Sequence, residues 1–290
     1  MQKNAYIYAL LAVLLWSTVA SAFKLSLQFL SVTELLLISN ICSVIVLFVI
    51  AWLTGKLKAI RSFNYQDVLY SALFGFLNPF LYYLVLFNAY DLLPAQQAQA
   101  INYTWAITLA LLAVPILKQP LSTFDLAGLV IAYFGVLIIS TQGDFGSFEK
   151  TNIKGVAYAL FSTLIWALYW VLNTKQNKQV IIALLMNFSF GLFFVLIYYF
   201  VTAEVRAINV KGILGATYVG LFEMSLTFFL WLSALKLSDK TAKISTLIFL
   251  SPFLSLIFIY YFVGEEIQVA TFIGLVVIIV GVLVQRKGNY

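Results

Sequence analysis

The sequence predicts an all-α integral membrane protein whose ten transmembrane helices form two inverted five-helix repeats. Composition is the first observation: 63% of the 290 residues are hydrophobic and 10% are charged, which leaves too little polar surface to cover a soluble globule. The second is a succession of apolar stretches, each of about 20 residues, with short linkers between them. The third is that the two halves of the chain share sequence segments in the same order.

The apolar stretches define the predicted helices, because a helix needs about 20 residues to cross the hydrocarbon core. The ten spans are residues 5–24, 33–54, 67–90, 94–116, 122–141, 153–173, 180–202, 211–235, 241–263 and 267–285. The first span resembles a secretory signal peptide, with Lys3 before it and the small residues Ala20-Ser21-Ala22 near its end. We assign it to the mature fold, because its sequence recurs in the second half.

The recurrence involves both ends of each half. YALLAVLLW at residues 8–16 and YALFSTLIW at 158–166 are identical at five of nine positions, and GLVIAYFGVLII from Gly128 resembles GLVVIIVGVLVQ from Gly274. The chain therefore divides into a first repeat, 1–145, with helices 1–5, and a second, 146–290, with helices 6–10. Because five is odd, the second repeat enters the membrane from the opposite face, as in secondary transporters.

Paired glycines occur in the last helix of each repeat. Gly128 and Gly135 are seven residues apart, and so are Gly274 and Gly281. Each pair therefore lies on one helical face, where the absence of side chains lets a neighbouring helix approach closely. We interpret these glycines as packing residues.

The basic residues predict the orientation of the chain. With both termini cytoplasmic, 12 of the 17 lysines and arginines fall on cytoplasmic segments and their flanks, as the positive-inside rule requires. We therefore expect a bacterial cytoplasmic (inner) membrane protein with both termini in the cytoplasm. The net charge of +6 is then a property of the cytoplasmic face, and no nucleic-acid partner is expected.

The scarcity of reactive side chains excludes several kinds of site. The chain has no histidine and a single cysteine, Cys42, which rules out disulfide frameworks, Cys/His metal sites and histidine-based catalysis. We therefore predict no catalytic residue, no metal site and no cofactor.

One stretch near the C-terminus resembles a known family. SPFLSLIFIYYFVGEEIQVATFIGLVVIIVGV, residues 251–282, is similar to the closing helices of the EamA branch of the drug/metabolite transporter superfamily, with Pro252 inside a helix and Gly264-Glu265 before the last one. The resemblance covers essentially the whole chain and implies ten helices in two inverted repeats around a central cavity. The family's Gly-Glu in the first half is replaced by Lys118 and Gln119, so the glutamate role is carried over to Glu265 alone.

A second, shorter likeness concerns a substrate. INYTW, residues 101–105, is similar to the Asn-Tyr-Leu-Trp-Pro stretch of YddG-like aromatic amino acid exporters, with Thr104 and Ala106 in place of the leucine and the proline. This resemblance implies aromatic amino acids as the leading candidate substrates.

Polar side chains are costly in the middle of a membrane and are therefore candidates for function. At about 1.5 Å per residue, Glu223 lies about 18 Å and Asn78 about 17 Å into their helices. GFLNPFL from Gly75 aligns with GLFEMSL from Gly220, so we expect the two side chains to face one cavity from equivalent positions. Glu223 would bind a proton or a substrate ammonium group; the alternative is a protonated carboxyl group bonded to a neighbouring helix. For Asn78 the alternative is an amide bonded across helices, and Pro79 is predicted to bend the helix.

The remaining candidates are polar or aromatic residues on helices 1, 3, 4 and 6. Trp16 and Trp166 lie about 17 and 20 Å into their helices, which is too deep for the aromatic belt of the headgroup region. At that depth we expect them either to form walls against which a substrate stacks or to pack in the core of the repeats. In helix 4 we expect Gln96 and Gln97 to be solvated near the surface, whereas the deeper residues line a cavity or form helix contacts. The full set of predicted substrate-binding residues is Glu223, Asn78, Asn102, Tyr103, Trp105, Trp16, Trp166, Tyr82 and Tyr169.

These observations favour a secondary transporter for small organic metabolites, with export or exchange of amino acids as the leading function. The alternatives are a multidrug or nucleotide-like metabolite carrier and a passive facilitator. The chain has no Walker A motif with which to use ATP. An intramembrane enzyme is not favoured either, because it needs paired carboxylates, a metal cluster or an activated nucleophile, and one deep glutamate without a histidine provides none of these. The expected partners are a small-molecule substrate, the lipid bilayer and protons as a candidate coupling ion, and the expected state is a monomer or weak homodimer.

Overall fold

The structure is a computed structural model that describes residues 2–117, 122–145, 152–173, 178–202, 209–237 and 247–287. Every regular element in these ranges is helical. Seven of the described helices are long and apolar enough to cross a membrane, and two shorter apolar helices lie at Leu247–Val263 and Val269–Gln285. The prediction of an all-α membrane protein is therefore confirmed for the described residues, and the number of ten transmembrane helices stays a prediction.

The helices follow the predicted spans closely. They are α1 (Gln2–Leu27), α2 (Val32–Leu53), α3 (Tyr65–Gly75, Phe76–Leu81 and Tyr82–Leu92), α4 (Ala95–Asn102), α5 (Trp105–Leu117), α6 (Thr123–Ser140), α7 (Ile153–Asn173), α8 (Val180–Thr202), α9 (Val210–Tyr218, Val219–Leu226 and Thr227–Leu237), α10 (Leu247–Val263) and α11 (Val269–Lys287). Their ends agree with the predicted spans to within three residues, except that the first part of span 241–263 lies outside the described residues. Span 94–116 is divided between α4 and α5.

Three helices begin with the same local structure. Ser31, Asn64 and Ser122 each accept a hydrogen bond from the backbone of an acidic residue three positions later, whose side chain bonds back to the capping residue. These capping boxes satisfy backbone N–H groups that the first turn of a helix leaves without partners. They explain why α2, α3 and α6 begin where they do.

Two long helices are irregular in the middle. In α3 the segment Phe76–Leu81 is interrupted at Asn78, whose φ and ψ are −149° and 117°, and the following bond to Pro79 is cis. This confirms the predicted bend at Pro79, because proline cannot supply the N–H of a regular turn. In α9 the segment Val219–Leu226 has the wider turns of a π-helix, which are frequent at functional sites. The two irregular segments carry Asn78 and Glu223.

The chain forms two compact units, and each contains parts of both sequence halves. The first unit comprises Met1–Leu84 and Asn177–Phe258. In it α2 packs against α8 and α9, and α1 packs along α9 and the N-terminal part of α10. The predicted repeat boundary between residues 145 and 146 concerns an internal duplication, and it stays a prediction.

The second unit comprises Val85–Gln176 and Ile259–Tyr290. Its most extensive helix pair is α6 with α11, and the four predicted packing glycines lie in it. A Cβ added at Gly128 would lie 2.6 Å from the carbonyl oxygen of Gly281, and one added at Gly135 would lie 2.6 Å from that of Gly274. The interpretation of these glycines as packing residues is confirmed.

Candidate functional site

Glu223 is a buried carboxyl group on the irregular segment of α9, in the first unit. Its Oε1 accepts a hydrogen bond of 3.0 Å from the hydroxyl of Tyr83 on α3, and the side chain of Trp16 on α1 also approaches the carboxyl group. Oε2 has no hydrogen-bond partner among the described residues. The carboxyl group is therefore held in place by one donor and retains the capacity to bind another.

An aromatic cluster lies next to this carboxyl group. The ring of Trp16 packs edge-on against Phe228, with 6.1 Å between centroids, and in a tilted arrangement against Trp231, with 5.4 Å between centroids. Phe228 and Trp231, like Glu223, are on α9, and both are buried. Aromatic faces carry negative partial charge and attract cations, so the combination suits a ligand with a cationic group and an apolar body.

Asn78, which aligns with Glu223 in the comparison of the two sequence halves, is fully buried in the same unit. Neither its amide nitrogen nor its amide oxygen has a hydrogen-bond partner among the described residues. Tyr82, a further predicted site residue, is buried one turn later in α3, and its ring packs against that of Tyr83 at 4.8 Å. Four predicted residues, Glu223, Asn78, Trp16 and Tyr82, thus belong to the first unit.

The second unit holds the other five predicted site residues. The amide nitrogen of Asn102 donates to the hydroxyl of Ser162 on α7 at 2.9 Å, so this residue makes a contact between helices. Tyr103 occupies the turn that separates α4 from α5, and Trp105 begins α5. Both aromatic side chains are half-buried. INYTW therefore includes a helix break, which the sequence pattern did not reveal.

Trp166 and Tyr169 are buried on α7 and form part of an aromatic row. Their ring centroids are 6.2 Å apart, and each lies 5.8 Å from the ring of Trp170. Trp16 and Trp166, which end the similar segments 8–16 and 158–166, thus each belong to an aromatic cluster, one in each unit.

Glu265, the glutamate assigned by the family resemblance, caps α4. Its carboxylate accepts hydrogen bonds from the backbone N–H groups of Ala95 at 2.7 Å and Gln96 at 3.2 Å. The side chain of Gln96 donates to the carbonyl oxygen of Glu266 at 2.8 Å and accepts from the N–H of Gln268 at 2.9 Å. We call this set of bonds the Glu265 clasp.

The clasp corrects one expectation. Gln96 and Gln97 are not solvated near the surface, since their exposed fractions are 3% and 4%. Gln96 is buried because its side chain bonds the backbone that leads into α11. The local sequence does not reveal this burial, because the bonding partner of the Gln96 side chain lies 170 positions away.

Removing the clasp should destabilise the second unit. Glu265→Ala leaves two N–H groups of the first turn of α4 without an acceptor, and loss of an N-terminal cap costs about 0.5–2 kcal/mol. We expect a lower thermal-unfolding midpoint in detergent and faster hydrogen exchange in Ala95–Asn102. Glu266→Ala is the matched control, because its exposed side chain takes no part in the clasp. Equal effects of the two substitutions would contradict the capping role.

The structure adds three residues that sequence reasoning missed. Tyr83 bonds Glu223, and Phe228 and Trp231 surround Trp16. Trp231 follows Glu223 by eight residues, a spacing that lies on one helical face, so periodicity alone was a usable signal. No sequence signal identified Tyr83, because its partner is 140 positions away.

Several proteins are similar to this chain. An uncharacterized transporter from Clostridium kluyveri is 25% identical over 295 residues, which cover 99% of this chain and 94% of that protein. The uncharacterized transporter YyaM of Bacillus subtilis is 28% identical over 179 residues, 60% of this chain and 58% of the relative. The crystal structure of another protein aligns with this chain with a TM-score of 0.69 and 18% sequence identity, and the aligned part covers 97% of this chain and 98% of the other. This likeness shows that the two proteins share a fold.

The family is shown by a sequence model of the EamA-like transporter family, which matches the chain twice, over residues 3–141 and 153–285. The two matches together cover most of the chain, and they agree with the apolar helices and with the relatives named as transporters. The chain belongs to the EamA-like transporter family and is an integral membrane transporter.

Proposed function

We propose that this protein is a secondary transporter that exports or exchanges amino acids, with aromatic amino acids as the leading substrates. The observation that carries the proposal is the buried carboxyl group of Glu223, held by Tyr83 beside the rings of Trp16, Phe228 and Trp231. A carboxylate attracts an ammonium group, and the aromatic cluster matches an aromatic side chain.

The proposal includes two inverted repeats, 1–145 and 146–290, with ten membrane crossings. Packing within the first unit supports the two repeats, because two helix contacts there are interchanged when each residue is replaced by its aligned partner in the other repeat. Gly75 on α3 packs against the backbone of Asn187 on α8, and its counterpart Gly220 on α9 packs against the backbone of Ser39 on α2. A two-fold relation between the repeats exchanges α3 with α9 and α8 with α2, which turns one contact into the other.

Packing within the second unit supports the same relation. Gly128 contacts Gly281 while Gly135 contacts Gly274, and Gly128 corresponds to Gly274 as Gly135 does to Gly281. Exchanging the repeats converts either contact into the other. The double match of the family model, over 3–141 and 153–285, is consistent with the same duplication.

Interrupted helices in both halves indicate where a substrate binds. In transporters built from inverted repeats, substrate sites lie near the bilayer midplane on discontinuous helices. The irregular segments Phe76–Leu81 and Val219–Leu226 carry Asn78 and Glu223, and they align with each other when the two sequence halves are compared. We place the substrate's polar groups there, with Tyr82 near by. The predicted residues of the second unit, Asn102, Tyr103, Trp105, Trp166 and Tyr169, stay candidates for substrate binding.

The proposed location is the bacterial cytoplasmic membrane, with both termini in the cytoplasm. The excess of basic residues at the two termini and on the segments that follow the second, fourth, sixth and eighth predicted spans supports this orientation. We propose a monomer or weak homodimer and protons as the coupling ion. Facilitated exchange without coupling is the second candidate mechanism, because Glu223 can bind an ammonium group without releasing a proton to the other side.

A thermal-shift screen of the purified protein tests the substrate class. A ligand that binds only the folded state stabilises it by RT ln(1 + [L]/Kd), or about 2.7 kcal/mol at 100 times Kd. We expect phenylalanine, tyrosine and tryptophan to raise the unfolding midpoint more than nucleosides or cationic drugs. A response to cationic drugs or to nucleosides alone would replace the proposal by a multidrug or nucleotide-like carrier.

Truncating the aromatic residues near the α4–α5 break should affect transport more than folding. Trp105→Ala or Tyr103→Ala removes part of a half-buried ring, so we expect lower transport per folded molecule at nearly unchanged expression and thermal stability. Substrate uptake into proteoliposomes, normalised to folded protein, measures the effect. If Trp105→Ala unfolds the protein while residual activity per folded molecule stays normal, Trp105 is a packing residue.

A further inference from the structure

Side-chain hydroxyls bond the backbone of the irregular segment of α9. Ser225 donates to the carbonyl oxygen of Gly220 at 2.5 Å, and Thr227 donates to that of Phe222. Each donor follows its acceptor by five residues, which is the hydrogen-bond spacing of a π-helix. Glu223 therefore lies on a turn whose carbonyl groups accept bonds from hydroxyls of the same helix.

A third hydroxyl reaches this turn from another helix. Ser43 on α2 donates to the carbonyl oxygen of Met224 at 3.2 Å, and its Oγ lies 3.0 Å from that of Ser225. We propose that Ser43 is a positioning residue, which holds the backbone next to Glu223 and so keeps the carboxyl group directed at Tyr83. The inference rests on the proposed function, in which Glu223 binds a substrate or a proton, and adds a residue that acts through the backbone.

α2 lies along one face of α9. Ser39 donates to the carbonyl oxygen of Ala216 at 2.9 Å, and a Cβ added at Gly220 would collide with the backbone carbonyl of Ser39. Ala216, Gly220 and Met224 are four residues apart, so they form one line along the helix. This line is the surface on which α2 fixes the position of α9.

The carboxyl group of Glu223 leaves α9 on a different side. Successive residues of a helix project about 100° apart, and Glu223 directly precedes Met224. Its Oε1 accepts the 3.0 Å bond from Tyr83 on α3, and Trp16 on α1 approaches it. A shift of the Met224 turn relative to α2 therefore moves the carboxyl group relative to the Tyr83 hydroxyl, and hydrogen bonds weaken steeply when their geometry changes.

Ser39 provides the matched control for Ser43. Both serines are fully buried on α2, and each donates to a backbone carbonyl of α9. The acceptor of Ser39 is Ala216, which lies before the irregular segment that carries Glu223. Because single hydrogen bonds between helices contribute modestly to the stability of membrane proteins, Ser43→Ala and Ser39→Ala should both fold, with similar thermal-unfolding midpoints.

Dicyclohexylcarbodiimide probes the carboxyl group of Glu223 in the full-length protein without any substrate. This apolar reagent adds covalently to protonated carboxyl groups, and mass spectrometry of the labelled peptide measures the rate at Glu223. Tyr83→Phe removes the hydroxyl that holds Oε1, so labelling should become about 2- to 10-fold faster, the factor that one hydrogen bond represents. Ser43→Ala should accelerate labelling within the same range, whereas Ser39→Ala should label at the wild-type rate.

A double variant distinguishes positioning from a general loosening of the helices. If Ser43 acts by directing Glu223 at Tyr83, Ser43→Ala combined with Tyr83→Phe should label no faster than Tyr83→Phe alone, because both changes remove the same bond. A wild-type rate in Ser43→Ala, independent effects in the double variant, or equal acceleration by Ser39→Ala would each overturn the inference.

Phenylalanine exchange in proteoliposomes tests whether this positioning matters for transport. Ser43→Ala should raise the KM for phenylalanine about 2- to 10-fold and should have no further effect when Glu223 is replaced with glutamine. An equal effect in the two backgrounds would show that Ser43 does not act through Glu223. If the wild type exchanges no phenylalanine, the proposed substrate class fails, whereas the labelling rates still decide whether Ser43 positions Glu223.

Discussion

Replacing Glu223 with glutamine should abolish pH-driven accumulation of substrate and weaken substrate exchange without abolishing it, because the amide keeps a hydrogen-bond acceptor for the substrate but loses the negative charge. An ionised, unpaired carboxyl group near the membrane midplane is unfavourable by about 2.5–3.5 kcal/mol, even on the lenient insertion scale for aspartate. Glu223 should therefore carry a proton in at least one state of the transport cycle. Glutamine keeps the shape of the side chain and the acceptor for the Tyr83 hydroxyl, but it cannot release a proton.

Proteoliposomes measure the two activities separately. Accumulation is followed after an imposed pH gradient, and exchange is followed with labelled substrate on one side and unlabelled substrate on the other. Asp91→Asn is the control, because Asp91 is an exposed carboxylate near the end of α3 and should leave both activities unchanged. Survival of pH-driven accumulation in Glu223→Gln would show that this residue is not the proton carrier, and facilitated diffusion would then be the better mechanism.

The architecture could be predicted from sequence because hydrocarbon length constrains every span. Apart from the start of span 241–263 and the break inside span 94–116, the apolar stretches located the ends of the described helices to within three residues. Pro79 identified the irregular segment of α3. Seven-residue glycine spacing predicted close helix packing, which α6 and α11 show. Each of these signals lies within a short stretch of sequence, so it can be recognised without knowledge of the tertiary contacts.

The interior of the site depends on contacts between residues far apart in sequence. Tyr83 bonds Glu223 across 140 positions, and Gln96 bonds the backbone of Glu266 across 170. The interleaving of both sequence halves in each compact unit is likewise a property of helix packing.

A bulky residue at Gly135 should destabilise the second unit strongly. The close approach of α6 and α11 leaves no space there: a Cβ at this position would lie 2.6 Å from the carbonyl oxygen of Gly274 and 2.9 Å from the side chain of Ile278. The first of these neighbours is backbone, which cannot rotate away, so Gly135→Leu must separate the two helices. Overpacking in a core typically costs about 1–3 kcal/mol, and occasionally more.

The reciprocal contact makes the prediction specific. Gly274→Leu adds bulk at the same crossing from the other helix and should cause a similar loss, whereas Val130→Leu adds bulk to an exposed face of α6 and should have little effect. The thermal-unfolding midpoint in detergent and the monodisperse fraction in size-exclusion chromatography measure the outcome. A wild-type midpoint in Gly135→Leu would show that α6 and α11 do not pack as closely as these glycines allow. Loss of stability in both glycine variants, with Val130→Leu unaffected, would support direct backbone contact between α6 and α11.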